Sequence, residues 1–255
     1  MRIIDIIKEA QDLLLKNSEW QNRYKGYADN VIANIAFIKL NRNRFNEFSP
    51  LYFYISTTNA KNAKTKLSLD VRYRGQSVAT LKANQNDIAI SSWRETQVSE
   101  FRKFFKNRQN SRNTGNNKKN EEHNVESLLL SEFSKRNSKS KQITGIQPIK
   151  IGGIRFGMPT PISASNHKAL KYSKQSGGGI DIFTRTGKGR ATYLTVIEVK
   201  DENNSKEPPK DALKQAIQYA VFIRELLRSD CGDNWYKIFG FSGIIPNILT
   251  IRTVC

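Results

Sequence analysis

Two short stretches of this 255-residue chain hold residue types that can act together. Gly177-Gly178-Gly179-Ile180-Asp181-Ile182 sets an aspartate at the edge of one apolar run. Thr195-Val196-Ile197-Glu198-Val199-Lys200 ends the next apolar run on Glu-x-Lys. Two carboxylates on neighbouring strands can share a divalent cation, because a hard ion such as Mg²⁺ takes carboxylate oxygens and keeps some of its waters. Side chains alternate along a strand, so Lys200 projects on the same face as Glu198. An ammonium there can hold or polarise a cation-bound water and neutralise charge on a phosphate. The plainer alternative has Asp181 capping a turn and Glu198 and Lys200 forming a surface ion pair, since Asp201 and Glu202 follow at once.

Composition narrows the field. Cys231 and Cys255 are too few for a disulfide framework or a thiolate metal site. His123 and His167 alone build no zinc site and read as surface or loop residues, which leaves carboxylates as the metal ligands. The formal net charge of +19 calls for a polyanionic partner. A membrane-surface protein usually carries a basic amphipathic helix; here the basic residues lie in loops and mixed segments, so nucleic acid is the expected partner. No apolar run approaches the roughly 20 residues of a membrane span, and the N-terminus lacks a signal-peptide pattern, so the expected location is the cytoplasm.

Several elements would position these residues. Ile3 to Lys16 has helical apolar spacing, and Asp29 to Leu40 reads as a second helix with a strand as the alternative. Leu51 to Ser56, Lys66 to Arg74, Ser77 to Lys82 and Asp87 to Ile90 read as strands of a small antiparallel sheet, with Arg74-Gly75-Gln76 as a turn. Its polar, partly basic face carries Arg72, Arg74 and Lys82. Trp93 to Phe105 reads as a helix. Arg102, Lys103, Lys106, Arg108, Arg112, Lys118 and Lys119 make a run with no acidic residue between them. Residues 107–120 therefore read as a basic flexible linker, either a solvated tether or a nucleic-acid arm. The linker separates an N-terminal α+β region, 1–106, from a C-terminal domain, 121–255.

Beyond it, Val125 to Lys135 is a helix and Ile146 to Arg155 a strand region with a bulge or bend at Gly152-Gly153. Pro159 to His167 is an extended loop or edge. Strands follow at Ile180 to Thr184 and Thr192 to Lys200 around a turn at Gly187-Lys188-Gly189. A helix runs from about Asp211, read as its N-cap, to Arg228, and strands at Tyr236 to Ile245 and Ile248 to Val254 close the chain. Ser163, Ser165, Asn166 and His167, with Lys168, Lys171 and Lys174, form either a strand-guiding loop or an ordinary surface connection.

The order helix, strand, strand, strand, helix, strand, with Asp181 after glycine and Glu198-Val199-Lys200 after an apolar strand, resembles the PD-(D/E)xK nuclease superfamily. Glu126 on the preceding helix matches an acidic residue that many of its members carry there, or is an exposed helix residue. Gln215 and Tyr219, at i and i+4 on one helical face, resemble the Gln-x-x-x-Tyr feature of the RecB-like branch, or simply pack against the sheet. The likeness spans about the last half of the chain. It implies an α/β (α+β) chain with a restriction-endonuclease-like mixed sheet flanked by helices, preceded by a smaller region of helix and antiparallel sheet.

The resemblance further implies metal-dependent phosphodiester hydrolysis, in DNA first of all, of a restriction, repair or mobile-element type. Asp181, Glu198 and the Val199 backbone carbonyl would hold Mg²⁺ (or Mn²⁺), with Glu126 as an outer or second-metal ligand. Lys200 would position the attacking water and stabilise developing charge. Two other classes stay open: a catalytically silent nucleic-acid-binding module of the same fold, and a subunit that binds an acidic protein. The oligomeric state is open, a dimer included.

Overall fold

Apolar spacing fixes the first two helices. The structure, a computed structural model, describes residues 2–45, 47, 51–57, 67–73, 76–83, 88–93, 121–134, 145–164, 169–175, 177–200 and 208–255. Helix α1, Ile3–Lys16, buries Ile6, Ala10 and Leu14, one residue per turn. Helix α2, Trp20–Asn41, buries Trp20, Tyr24, Ala28, Val31 and Ile38 on the same principle. Among the described residues no helix is long and apolar enough to cross a membrane.

Strands β1 (Leu51–Ile55), β2 (Leu67–Tyr73), β3 (Gln76–Ala83) and β4 (Ile88–Trp93) form an antiparallel meander. Two later strands extend it: β6 (Lys150–Ile151) and β7 (Ile154–Phe156), with β7 parallel to β1. The sheet order is β4-β3-β2-β1-β7-β6. Gly152 and Gly153, both at positive φ, 60° and 96°, make the two-residue turn of the β6–β7 hairpin. The expected bulge or bend is thus a hairpin turn, and glycine takes up positive φ at both positions without strain.

Helix α3, Glu121–Ser134, leads into β5, Ile146–Pro148. Strand β5 pairs with β12 (Ile182–Lys188), β12 with β13 (Ala191–Ile197), and β13 runs parallel to β14 (Ile251–Val254). The crossover from β13 to β14 holds helix α4, Pro209–Arg228, and helix α5, Gly232–Ile238. Four two-residue strands make paired side ribbons: β8 (Pro159–Thr160) with β11 (Gly178–Gly179), and β9 (Ile162–Ser163) with β10 (Lys171–Tyr172). The chain is mixed α+β.

The strand alternation of the four-stranded sheet serves two helical layers. Phe183, Leu194 and Val196 join the main core with Ala216, Tyr219 and Phe222 of α4. Ile182, Ile197 and Val199 join Val125, Leu129, Leu130 and Phe133 of α3 in a smaller cluster that also holds Tyr52 and Tyr54 of β1. Helix α3 therefore packs against both sheets. The main core itself draws on residues from Ala10 to Ile245, on both sides of 107–120. Its centre is aromatic: Phe222 meets Trp20 at 5.6 Å and Tyr24 at 4.9 Å, edge to face, and Trp235 Nε1 donates to the Tyr24 carbonyl at 3.1 Å.

Several sequence expectations need correction. Tyr236 to Ile245 is not a strand: α5 occupies Gly232–Ile238, because Trp235, Tyr236, Ile238 and Phe239 are buried at helical spacing. The last strand shortens to β14, with Ile248 exposed ahead of it. Ile146 to Arg155 divides into three short strands in two sheets. Strand β12 extends to Lys188, so the hairpin turns at Gly189-Arg190. Pro208, not Asp211, is the N-cap of α4, and Asp211 sits in its first turn, where an acid complements the helix dipole. The linker 107–120 and the helix expected through Phe105 lie outside the described residues, although Trp93 itself ends β4.

Candidate active site

The β12–β13 hairpin brings the two acids together. Ile182 and Ile197 are its last paired residues, so Asp181 and Glu198 are the next residues out, at the same end of adjacent strands. Two backbone contacts fix them: the Glu198 N–H donates to the Val254 carbonyl at 3.0 Å, and the Val199 N–H to Asp181 Oδ2 at 2.9 Å. The glycines before Asp181 allow close approach. A Cβ on Gly177 would lie 2.6 Å from the Ile162 backbone, and one on Gly178 would lie 2.5 Å from the Tyr219 hydroxyl oxygen. The Gly-Gly-Gly run thus lets the Asp181 segment lie directly against α4.

Glu198 is 1% exposed, and both of its carboxylate oxygens are buried with no hydrogen-bond partner among the described residues. Burial pushes its carboxyl up to about 10; the Asp181 charge adds to the shift and Lys200 opposes it. Asp181 is raised too, by burial first, with the Val199 hydrogen bond opposing and Glu126 reinforcing. The two carboxyls are close enough to share one proton, yet as two carboxylates neither has a donor to offer the other. An acidic pair in which both Glu198 oxygens lack a partner among the described residues, beside Lys200, has the donor chemistry of a hard-cation site. Among the described residues no third Asp, Glu, His or Cys completes a cage, so the remaining positions would fall to backbone oxygen and water.

The N-terminal turn of α3 closes the other side. Lys200 Nζ donates to Glu122 Oε1 at 3.3 Å, and His123 Nδ1 lies 3.4 Å from Glu126 Oε2. That contact raises the imidazole pKa, against the effect of burial, and the Asp181 and Glu122 charges add to it. Glu126 is 4% exposed and faces Arg72 Nη1 at 3.9 Å. Residue types alone do not single out Glu122, and they give His123 only as a surface or loop residue. Their one available signal was an acidic helix start, Glu121-Glu122-His123-Asn124-Val125-Glu126, in a basic chain.

On α4, Gln215 Nε2 donates to the Tyr219 hydroxyl at 3.4 Å, and Gln215 Oε1 is buried with no partner among the described residues. Burial and the Glu198 charge push the phenol up to about 12. Asp181, Glu198, Lys200, Glu126, Gln215 and Tyr219 therefore surround one place. Arg72, expected on a nucleic-acid face, is partly buried and pairs within the protein. Its Nε donates to Asp70 Oδ2 at 2.9 Å and its guanidinium lies 4.1 Å from the Tyr54 ring centre. The polar side of β2 turns toward α3, which brings the arginine to Glu126. Lys82 is exposed, as expected. Arg74, Arg102, Lys103, Lys106, Arg108, Arg112, Lys118, Lys119, Ser165, Asn166 and Lys168 lie outside the described residues.

No protein-family model, no curated protein and no solved structure matches the chain.

Proposed function

We propose that this protein is a metal-dependent nuclease that hydrolyses phosphodiester bonds, in DNA first of all, and that the Asp181–Glu198 pair is its cation site. The observation that carries the reading is Glu198, a buried acid beside Asp181 with both oxygens lacking a donor among the described residues. A three-antiparallel-plus-one-parallel sheet with helices on both faces, and the Glu-x-Lys at the end of its central hairpin, support the PD-(D/E)xK reading. So does the +19 charge, which suits a polyanionic substrate.

Asp181, Glu198 and the Val199 carbonyl would hold Mg²⁺ or Mn²⁺. Bound there, the cation supplies Lewis-acid polarisation of the phosphodiester and neutralises charge on the leaving oxygen. The Val199 N–H orients Asp181. Lys200 positions the attacking water and offsets charge that builds at phosphorus, for which it must exchange its Glu122 partner for substrate. His123, whose imidazole pKa is raised by its contact with Glu126, stands beside that carboxylate at the same end of α3. Gln215 and Tyr219 brace the wall against which the glycines pack.

The Lys200–Glu122 ion pair also favours a second reading, a catalytically silent nucleic-acid binder, since a lysine retained by Glu122 does no chemistry. Cleavage of linear and circular DNA in Mg²⁺, compared between wild type, Lys200→Ala and Lys200→Arg, decides between them. The nuclease reading expects a rate loss on the order of 10²–10³ in Lys200→Ala and little rescue by arginine, whose guanidinium is larger and planar. Tight binding without cleavage by the wild type in Mg²⁺ or Mn²⁺ would leave the silent binder.

A further inference from the structure

Strand register sorts the side chains of the four-stranded sheet by face. Thr186 lies opposite Tyr193, and Thr184 opposite Thr195, whose partner on β14 is Arg252. These five side chains therefore share one face with Ile182 and Ile197, on which α3 packs. Farther along that face Thr186 and Tyr193 are half-buried and Arg252 is exposed. The hairpin then ends in Lys188, Gly189 and Arg190, all exposed. Strand β12 is seven residues long, so at about 3.3 Å per residue this tip lies roughly 20 Å from Asp181 and Glu198.

Charge is polarised along the strands. Strands β5, β12, β13 and β14 contain no aspartate or glutamate, and no side chain after Asp233 is acidic. Asp181 and Glu198 stand just beyond one end of the hairpin, Lys188 and Arg190 at the other, and Arg252 between them. Arg252 is held by neutral groups: its Nη1 donates to Thr186 Oγ1 at 3.4 Å and its guanidinium lies 4.3 Å from the Tyr193 ring centre. A hydroxyl and a ring orient the guanidinium without cancelling its charge. None of the ion pairs among the described residues involves Lys188, Arg190 or Arg252. Cations spread along one line suit a repeating anion better than a single small one. A DNA strand carries a phosphate about every 3.4 Å of helix axis, so several fall within the length of the hairpin.

We propose that this outer face and tip of the β12–β13 hairpin form a nucleic-acid backbone contact, with phosphates on Arg252, Lys188 and Arg190. The contact reads charge and spacing, not base sequence. Its direction, leading away from the Asp181–Glu198 pair, rests on the nuclease reading. The contact itself does not, so an absence of cleavage leaves it standing.

The test is equilibrium binding in EDTA, where no cleavage intervenes, of a short labelled duplex and of one of its strands, read by anisotropy across a salt series. One variant combines Lys188→Gln, Arg190→Gln and Arg252→Gln. A control of equal charge combines Lys16→Gln, Lys25→Gln and Lys39→Gln, exposed positions on α1 and α2. The hairpin variant should bind at least one probe about 10-fold more weakly at moderate salt. Its slope of log affinity against log salt should fall by about 0.9 per lost duplex contact, or about 0.7 per contact with a single strand. The control should stay within about 2-fold of wild type with its slope unchanged. A loss on the duplex assigns the contact to paired DNA; a loss confined to the single strand assigns it to an unpaired one. Unchanged affinity and slope in the hairpin variant overturn the contact and leave the nuclease reading intact. Equal losses in the two variants overturn it as well, because they report overall charge, and so does a wild type that binds neither probe.

Discussion

Glu198 is buried beside Asp181 with no donor to either of its oxygens among the described residues, so ionising it is unfavourable until a cation balances the pair. Its folded value near 10 stands against an ordinary 4.5. Between those values the folded chain retains a proton that the unfolded chain has lost. The stability contributed by this group is therefore complete below 4.5 and is lost as pH rises toward 10. In EDTA, the melting temperature of Glu198→Gln should gain on the wild type as pH rises through that window, and Mg²⁺ should stabilise the wild type more than the variant. Parallel pH curves for the two proteins would show that Glu198 carries no such strain. Gly178 offers a second test. Gly178→Ala puts a methyl against the Tyr219 hydroxyl and should cost about 1–3 kcal/mol. Tyr219→Phe, by removing the oxygen, should return part of that loss in denaturant unfolding of the double variant. Asp181, Glu198, Lys200, Gln215 and Tyr219 were legible in sequence because each motif is local. Glu122, His123 and the partnership of Arg72 with Glu126 were not, since they arise only when α3 is laid across the ends of distant strands.

Between elements, the clearest joint is Arg155. It is 3% exposed on β7, ion-paired with Glu47 at 3.0 Å, and donates to Ser131 Oγ of α3 at 3.1 Å and the Tyr54 hydroxyl of β1 at 3.3 Å. Its guanidinium lies 3.8 Å from the Tyr52 ring centre. One side chain thus ties α3, and with it Glu122 and Glu126, to the six-stranded sheet. Arg155→Ala should destabilise by about 1–3 kcal/mol because Glu47 loses its ion-pair partner and the Tyr54 and Ser131 hydroxyls lose a donor. Adding Glu47→Gln should restore part of it in urea titrations; no effect of Arg155→Ala would remove this joint from the account of how the site is held. Strand and helix spacing made α1, α2, α3, α4 and the β12–β13 hairpin readable. It misled at Tyr236 to Ile245, where Trp235, Tyr236, Ile238 and Phe239 satisfy both a strand-like apolar run and a helix, and burial against Tyr24 and Phe183 selects the helix. The parallel pairing of β1 with β7 leaves no local trace, since its partners lie 101 residues apart at Tyr54 and Arg155.

At the scale of the whole molecule, charge and core are distributed differently. The core runs through both halves of the sequence, while the surplus of cations includes the run from Arg102 to Lys119. If that run contacts phosphates, replacing several of its basic residues should weaken binding to all sequences alike. The slope of log affinity against log salt should then fall by about 0.9 per lost duplex contact. An unchanged slope would make the run a solvated tether. The central claim is tested most directly by single-turnover cleavage of end-labelled DNA, with wild type and Glu198→Gln first matched for binding in EDTA and then given Mg²⁺. The Asp181–Glu198 cation site predicts product from the wild type alone, at equal occupancy of the DNA. Equal cleavage by both proteins, or none by either while both bind, would contradict it.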